Sequence, residues 1–127
     1  MNGNSALFDS NILIYLSKKE LQLKIFDKFD KIFISVISYM EVFGFKFRSN
    51  KEENFVKELT DLFEVQFIDQ NIVDKIIEIR KQNRIKLPDA IIAATAAVDN
   101  LCLVTRNIED FKNIDITLLD PFDNQIA

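Results

Sequence analysis

Ala6-Leu7-Phe8-Asp9-Ser10-Asn11-Ile12-Leu13-Ile14-Tyr15 decides how this chain is read. Ala6 to Phe8 form a brief apolar strand, and Asp9 ends it. Ser10 or Asn11 can cap the helix that Ile12, Leu13, Tyr15 and Leu16 begin. A strand that runs straight into a helix opens an α/β unit. An acid at the carboxyl end of such a strand lies where open parallel sheets place their ligand crevice.

Outward from this stretch the same alternation recurs. Glu20 to Phe29 reads as a second amphipathic helix, and Lys31-Ile32-Phe33-Ile34 as a strand that Ser35 ends. Val36 to Phe47 is a helix with apolar residues almost all round, so it is deeply packed or at an interface. Lys51 to Phe63 is amphipathic, Val65 to Ile68 is a short strand, and Ile72 to Ile79 give one face of a helix. Leu87-Pro88-Asp89-Ala90 opens another helix, with Pro88 suited to a first turn. Its alanines keep it thin. Leu101 to Val104 is a strand, Asn107 to Phe111 a tight turn or short helix, and Ile116 to Leu119 a last strand. Strands alternating with helices predict a small parallel sheet flanked by helices in three layers.

A chain of 127 residues is one domain of ordinary size, spanning 1–127. With 48% hydrophobic and 28% charged residues it has both a core and a polar surface, and no apolar run long enough to cross a bilayer. The start of the chain has no basic segment and no signal-type apolar run, which points to the cytoplasm. The lone Cys102 fits a reducing compartment and reads as core. The net charge of −4 argues against a general nucleic-acid coat but not against a nuclease, because carboxylates that hold cations lower it. The chain has no histidine. That excludes His-based acid–base catalysis, Ser-His-Asp triads and most zinc or copper sites. Carboxylates, amides, hydroxyls, Lys and Arg remain, and hard oxygen donors favour Mg²⁺ or Mn²⁺.

Four acids occupy comparable junctions: Asp9, Glu41, Asp89 and Asp110. Each has an ordinary structural reading. Asp9 can be a helix cap. Glu41 completes Ser38-x-x-Glu41, a capping box, yet its neighbours Tyr39, Met40, Val42 and Phe43 would draw its charge into apolar surroundings that demand a partner. Asp89 in the first turn of its helix suits the dipole. Asp110 follows Thr105 and Asn107, which can offer hydroxyl and amide oxygens. Taken together, all four fall after a strand or at a helix start, positions that gather at one edge of a parallel sheet.

These segments resemble the PIN-domain family, and within it the VapC-type toxins of bacterial and archaeal toxin–antitoxin pairs. The matching pieces are Phe8 to Tyr15, Ile34 to Gly44, Leu87 to Ala96 and Leu103 to Phe111, in the family's order. The resemblance implies a Rossmann-like three-layer fold and an Mg²⁺- or Mn²⁺-dependent endoribonuclease. It makes Asp9, Glu41, Asp89 and Asp110 the metal-binding and catalytic acids, with Asn107, Thr105 and Asn11 in support. It also implies a homodimer and a cognate antitoxin laid across the cleft.

On this reading a metal-activated water attacks phosphorus in line and the 3′ oxygen leaves. Arg106, Lys86 and Arg84 are candidate contacts to the RNA phosphates. Two rival readings keep part of the pattern. A phosphoacceptor signalling domain also uses an Asp-rich Mg²⁺ pocket, but it would want paired acids after the first strand and a Lys after the last. A PIN-type module without activity would bind RNA or protein only.

Overall fold

The computed structural model describes residues 4–123. Five strands form one sheet: β1 (Ser5–Phe8), β2 (Lys31–Ser35), β3 (Glu64–Gln66), β4 (Cys102–Val104) and β5 (Leu118–Leu119). Their order is β3-β2-β1-β4-β5, and every pairing is parallel. All carboxyl ends therefore lie along one edge. The chain moves outward from β1 to β2 and β3, then returns to β4 on the other side. The order reverses between β1 and β4, and that switch point is where open sheets form their crevice.

Alternate residues of β1 feed two cores. Ala6 and Phe8 face α1 (Ser10–Ser17) and α3 (Asn50–Thr60), packing with Ile12, Leu16, Ile34 and Val56. Leu7, with Phe33 and Leu103, faces α4 (Gln70–Gln82) and α5 (Leu87–Asp99). Phe8 is fully buried, its ring 5.7 Å from Phe26, 6.3 Å from Phe29 and 5.6 Å from Phe63. Ala90, Ala93, Ala94 and Ala96 are buried, which lets α5 lie close to its neighbours as their small size predicts. The helix ends at Asn100, whose φ of 55° is the left-handed turn that Asn tolerates. Among the described residues no helix is long and apolar enough to cross a membrane.

Several local expectations give way. Glu20 to Phe29 is not an α-helix; a 3₁₀ turn spans Leu23–Lys28. Ile25 is buried and Phe26 stacks on Phe8, and Phe29 is already extended toward β2, which leaves no room for further turns. The helix expected over Val36 to Phe47 stops at Phe43, forming α2 (Val36–Phe43). Phe45 and Phe47 lie beyond it, ring against ring at 5.0 Å. Nor is α2 apolar surface buried all round, since Tyr39 and Met40 are exposed. Cys102 is half-buried rather than core, because it begins β4 instead of lying inside it. The outermost residues expected within a single domain over 1–127, 1–3 and 124–127, lie outside the described residues.

Candidate active site

Asp9 is the innermost of the four acids, 7% exposed, at the carboxyl end of β1. Its backbone N–H continues the sheet by donating to the Val104 carbonyl at 3.1 Å. Asp9 itself holds the cap position of α1, with Ser10 as the first helical residue, so neither Ser10 nor Asn11 caps the helix. The Asp9 side chain makes no capping hydrogen bond. Its Oδ2 instead accepts from Thr105 Oγ1 at 2.9 Å. Asp9 is thus the helix cap by position only, and its carboxylate reaches Thr105 across the switch point.

Thr105 follows β4 and is fully buried. Its hydroxyl donates to Asp9 and accepts the Asn107 backbone N–H at 3.1 Å. The hydroxyl proton is committed to Asp9 and one lone pair to Asn107, so Thr105 orients the acid. Asn107 takes part through its backbone, and its side chain is exposed at the rim. Asn11 is exposed, and its side chain makes no hydrogen bond among the described residues.

Glu41 comes from the middle of α2. The cap of that helix is Ser35, whose hydroxyl accepts from Ile37 N at 3.3 Å, so the Ser38 capping box does not form. Nor is Glu41 drawn into apolar surroundings. It is exposed, and Ser10 Oγ donates to its Oε1 at 3.2 Å. The same hydroxyl lies 3.4 Å from Asp9 Oδ1. One hydrogen cannot fully serve both oxygens, so Ser10 links two carboxylates and fully satisfies neither. Sequence reading treats Ser10 only as a cap; its place one residue after the buried acid was the available signal.

Asp89 stands in the first turn of α5, half-buried, and Asp110 is exposed at the end of a 3₁₀ turn, Ile108–Asp110. The four acids act on one another. Burial, then the charge of Asp110, raises the Asp9 carboxyl above its ordinary range against the Thr105 and Ser10 hydrogen bonds. Glu41 is raised by partial desolvation and then by Asp9 and Asp89, with Ser10 opposing. Asp89 is raised by desolvation, Asp110 and Asp9, with Lys86 opposing. Such mutual repulsion marks a place where positive charge is favoured.

The donor set is all hard oxygen, which suits Mg²⁺ or Mn²⁺. As the side chains stand, no three acids among the described residues are gathered to hold one ion. Asp9 is the fixed member. Glu41, Asp89 and Asp110 form no salt bridge among the described residues that would prevent them turning toward it.

Two clefts flank Asp110. The first, about 480 Å³, runs past Asp89 between the α4–α5 loop and the Asn113–Ile114 turn, and includes Arg84 and Lys86. The second, about 420 Å³, contains Arg106, Asn107, Asp120 and Asp123. Arg106 lies with its guanidinium 4.4 Å from the Phe122 ring and 5.4 Å from Tyr15.

A family model described as PIN domain matches residues 6–116. The toxin–antitoxin complex from Klebsiella pneumoniae includes a chain 34% identical to this one, with 91% of this chain and 97% of that one covered and a TM-score of 0.74. VapBC2 from Rickettsia felis, bound to a DNA fragment from its promoter, matches in fold at 23% identity and a TM-score of 0.77, covering 91% and 97%. DNA-bound VapBC from Salmonella typhimurium does so at 23% and 0.77, covering 94% and 98%. The comparison with curated proteins found no match.

Proposed function

The chain belongs to the PIN domain family, and on that premise we propose that it is the toxin of a toxin–antitoxin pair, a divalent-metal-dependent endoribonuclease acting as a single domain over 1–127. One observation carries the reading. Asp9, Glu41, Asp89 and Asp110 come from four separate segments on the carboxyl side of the sheet, and the first three are raised by burial and then by the charge of others in the set.

Asp9, Glu41, Asp89 and Asp110 would hold the cation. A bound Mg²⁺ or Mn²⁺ supplies positive charge for the attacked phosphate and makes water more acidic. The residues do the rest. Thr105 holds Asp9 in one orientation, so that its outer oxygen faces the crevice. Ser10 keeps the Glu41 carboxylate beside Asp9. Glu41, exposed at the rim and bonded to Ser10, suits orienting the attacking water. The buried side of the site, behind Asp9, excludes bulk water. The phosphoacceptor reading is set aside by the family match.

The partners we propose are RNA as substrate, an antitoxin and a second copy of the chain, all in the cytoplasm. Exposed Tyr39, Met40 and Phe45 give apolar surface beside the acid centre that suits a protein partner.

The experiment is cleavage of structured and single-stranded RNA, in Mg²⁺ and then in EDTA, by the parent and by Asp9→Asn and Asp89→Asn. Activity should vanish in EDTA and fall several kcal/mol in barrier terms, on the order of 10²–10⁴-fold, in each folded variant. Parent-rate cleavage by a folded Asp9→Asn protein in Mg²⁺ would overturn the proposal.

A further inference from the structure

The two clefts beside Asp110 differ in chemistry. In the first, Arg84 and Lys86 are exposed and form no salt bridge among the described residues, while Glu109 at its edge is already paired with Lys112 at 2.7 Å. Ile85 and Ile114 give it an apolar floor that continues the second core. Gln82 and Asn113 stand exposed on its walls. Asn83 donates to the Ile79 carbonyl at 3.0 Å, which leaves its own carbonyl oxygen as an acceptor. The volume falls within the roughly 300–1,000 Å³ of small-ligand sites.

The second cleft sets Arg106 among Asp110, Asp120 and Asp123. That guanidinium lies over the rings of Tyr15 and Phe122, whose centroids are 5.0 Å apart. Arg106 therefore ties the C-terminal segment to α1, in surroundings that repel a polyanion.

Building on the ribonuclease reading, we propose that the first cleft is a nucleotide subsite through which the RNA strand passes on one side of the acid centre. The phosphate beside the cut one lies between Arg84 and Lys86. Its base rests on Ile85 and Ile114, with Gln82, Asn83 and Asn113 as hydrogen-bonding partners for the base edge. Sequence in single-stranded RNA is read on splayed bases through hydrogen bonds to their edges, and here the two isoleucines give the base face apolar contact in place of a stacking ring. Arg106 is a structural clamp and does not meet the substrate.

The test is fluorescence anisotropy of short single-stranded RNAs of differing sequence over a salt series. The protein is the full chain carrying Asp9→Asn in Mg²⁺, so that the strand stays intact. Arg84→Ala and Lys86→Ala should weaken binding to every sequence and each reduce the salt slope by about 0.7. Gln82→Ala and Asn113→Ala should narrow the spread of affinity between sequences and leave the slope alone. Arg106→Ala should leave both unchanged. Arg84, Lys86, Gln82 and Asn113 are exposed, so their variants should fold as the parent does; circular dichroism checks this, and for Arg106→Ala, which removes a clamp, Arg106→Lys is read beside it. Binding with unaltered slopes for Arg84→Ala and Lys86→Ala, or a slope change that follows Arg106→Ala instead, overturns the subsite alone. No binding by this chain, with a parent that cleaves RNA in Mg²⁺, overturns the subsite alone; no binding, with a parent that cleaves none, overturns the ribonuclease reading and the subsite with it.

Discussion

Thr105 Oγ1 donates to Asp9 Oδ2 across 2.9 Å, joining residues 96 apart in sequence at the point where the strand order reverses. Both groups are buried, so the bond has no solvent substitute. Thr105→Val keeps the shape and removes the donor. It should destabilise by about 1–3 kcal/mol, because a buried acceptor loses its partner. It should also cut activity or metal affinity about 10–100-fold, the usual loss when a group that orients a ligand is removed. Urea unfolding and a metal titration read the two effects separately, and Thr105→Ser should restore both. A Thr105→Val protein with parental metal affinity would dismiss the orienting role.

Ser10 makes a different kind of prediction. Its hydroxyl favours the ionised form of both Asp9 and Glu41. Removing it in Ser10→Ala should raise both carboxyls further. The acidic limb of the pH–rate profile should then move to higher pH, while the rate at alkaline pH changes less. A profile that moves to lower pH, or does not move, would contradict the shared hydrogen bond.

The same contact shows what sequence could and could not reveal. The acid at the end of β1, the Pro-Asp opening of α5 and the strand–helix alternation were legible, because each depends on near neighbours in the chain. Ser10 was not legible as a bridge between Asp9 and Glu41, since that requires knowing how α1 lies against α2. Ser35 rather than Ser38 caps α2 for a similar reason: the strand simply ends one turn earlier than a capping box needs. The early stop of α2 at Phe43 and the 3₁₀ turn at Leu23–Lys28 follow from where aromatic rings find space, Phe26 on Phe8 and Phe45 on Phe47. Periodicity records that these residues are apolar, but not which neighbour they meet.

Phe8 immediately precedes Asp9 and anchors it. Its ring is fully buried among Phe26, Phe29 and Phe63. Phe8→Ala should cost about 3–5 kcal/mol, through lost transfer energy and the cavity left behind. Phe8→Leu should cost less, because it refills most of the volume. Chemical denaturation gives the values, and a loss under about 1 kcal/mol for Phe8→Ala would mean that the aromatic cluster is not the packing it is taken to be.

Three carboxyls whose folded-state values are raised make a signed prediction about stability. Asp9 and Asp89 lie above an ordinary 3.8, and Glu41 above 4.5. The folded chain thus binds protons more tightly than the unfolded chain does. Through the window that begins at those ordinary values and extends upward to the folded-state ones, stability contributed by these groups falls as pH rises. Above the window the penalty is fully present, so it operates at neutral pH. In EDTA, Asp9→Asn should therefore melt at a higher temperature than the parent at pH 7, and the difference should shrink as the pH is lowered through the window. Mg²⁺ relieves the same repulsion and should stabilise the parent at pH 7 by about 2.7 kcal/mol at a hundredfold excess over its Kd. The gain should be smaller at acid pH, where protons compete for the same oxygens. Thermal melts of parent and Asp9→Asn, with and without Mg²⁺ at several pH values, decide the matter. If Asp9→Asn is no more stable than the parent in EDTA at pH 7, and Mg²⁺ stabilises both equally, the acids do not repel one another across the switch point and the proposed metal site has no electrostatic basis.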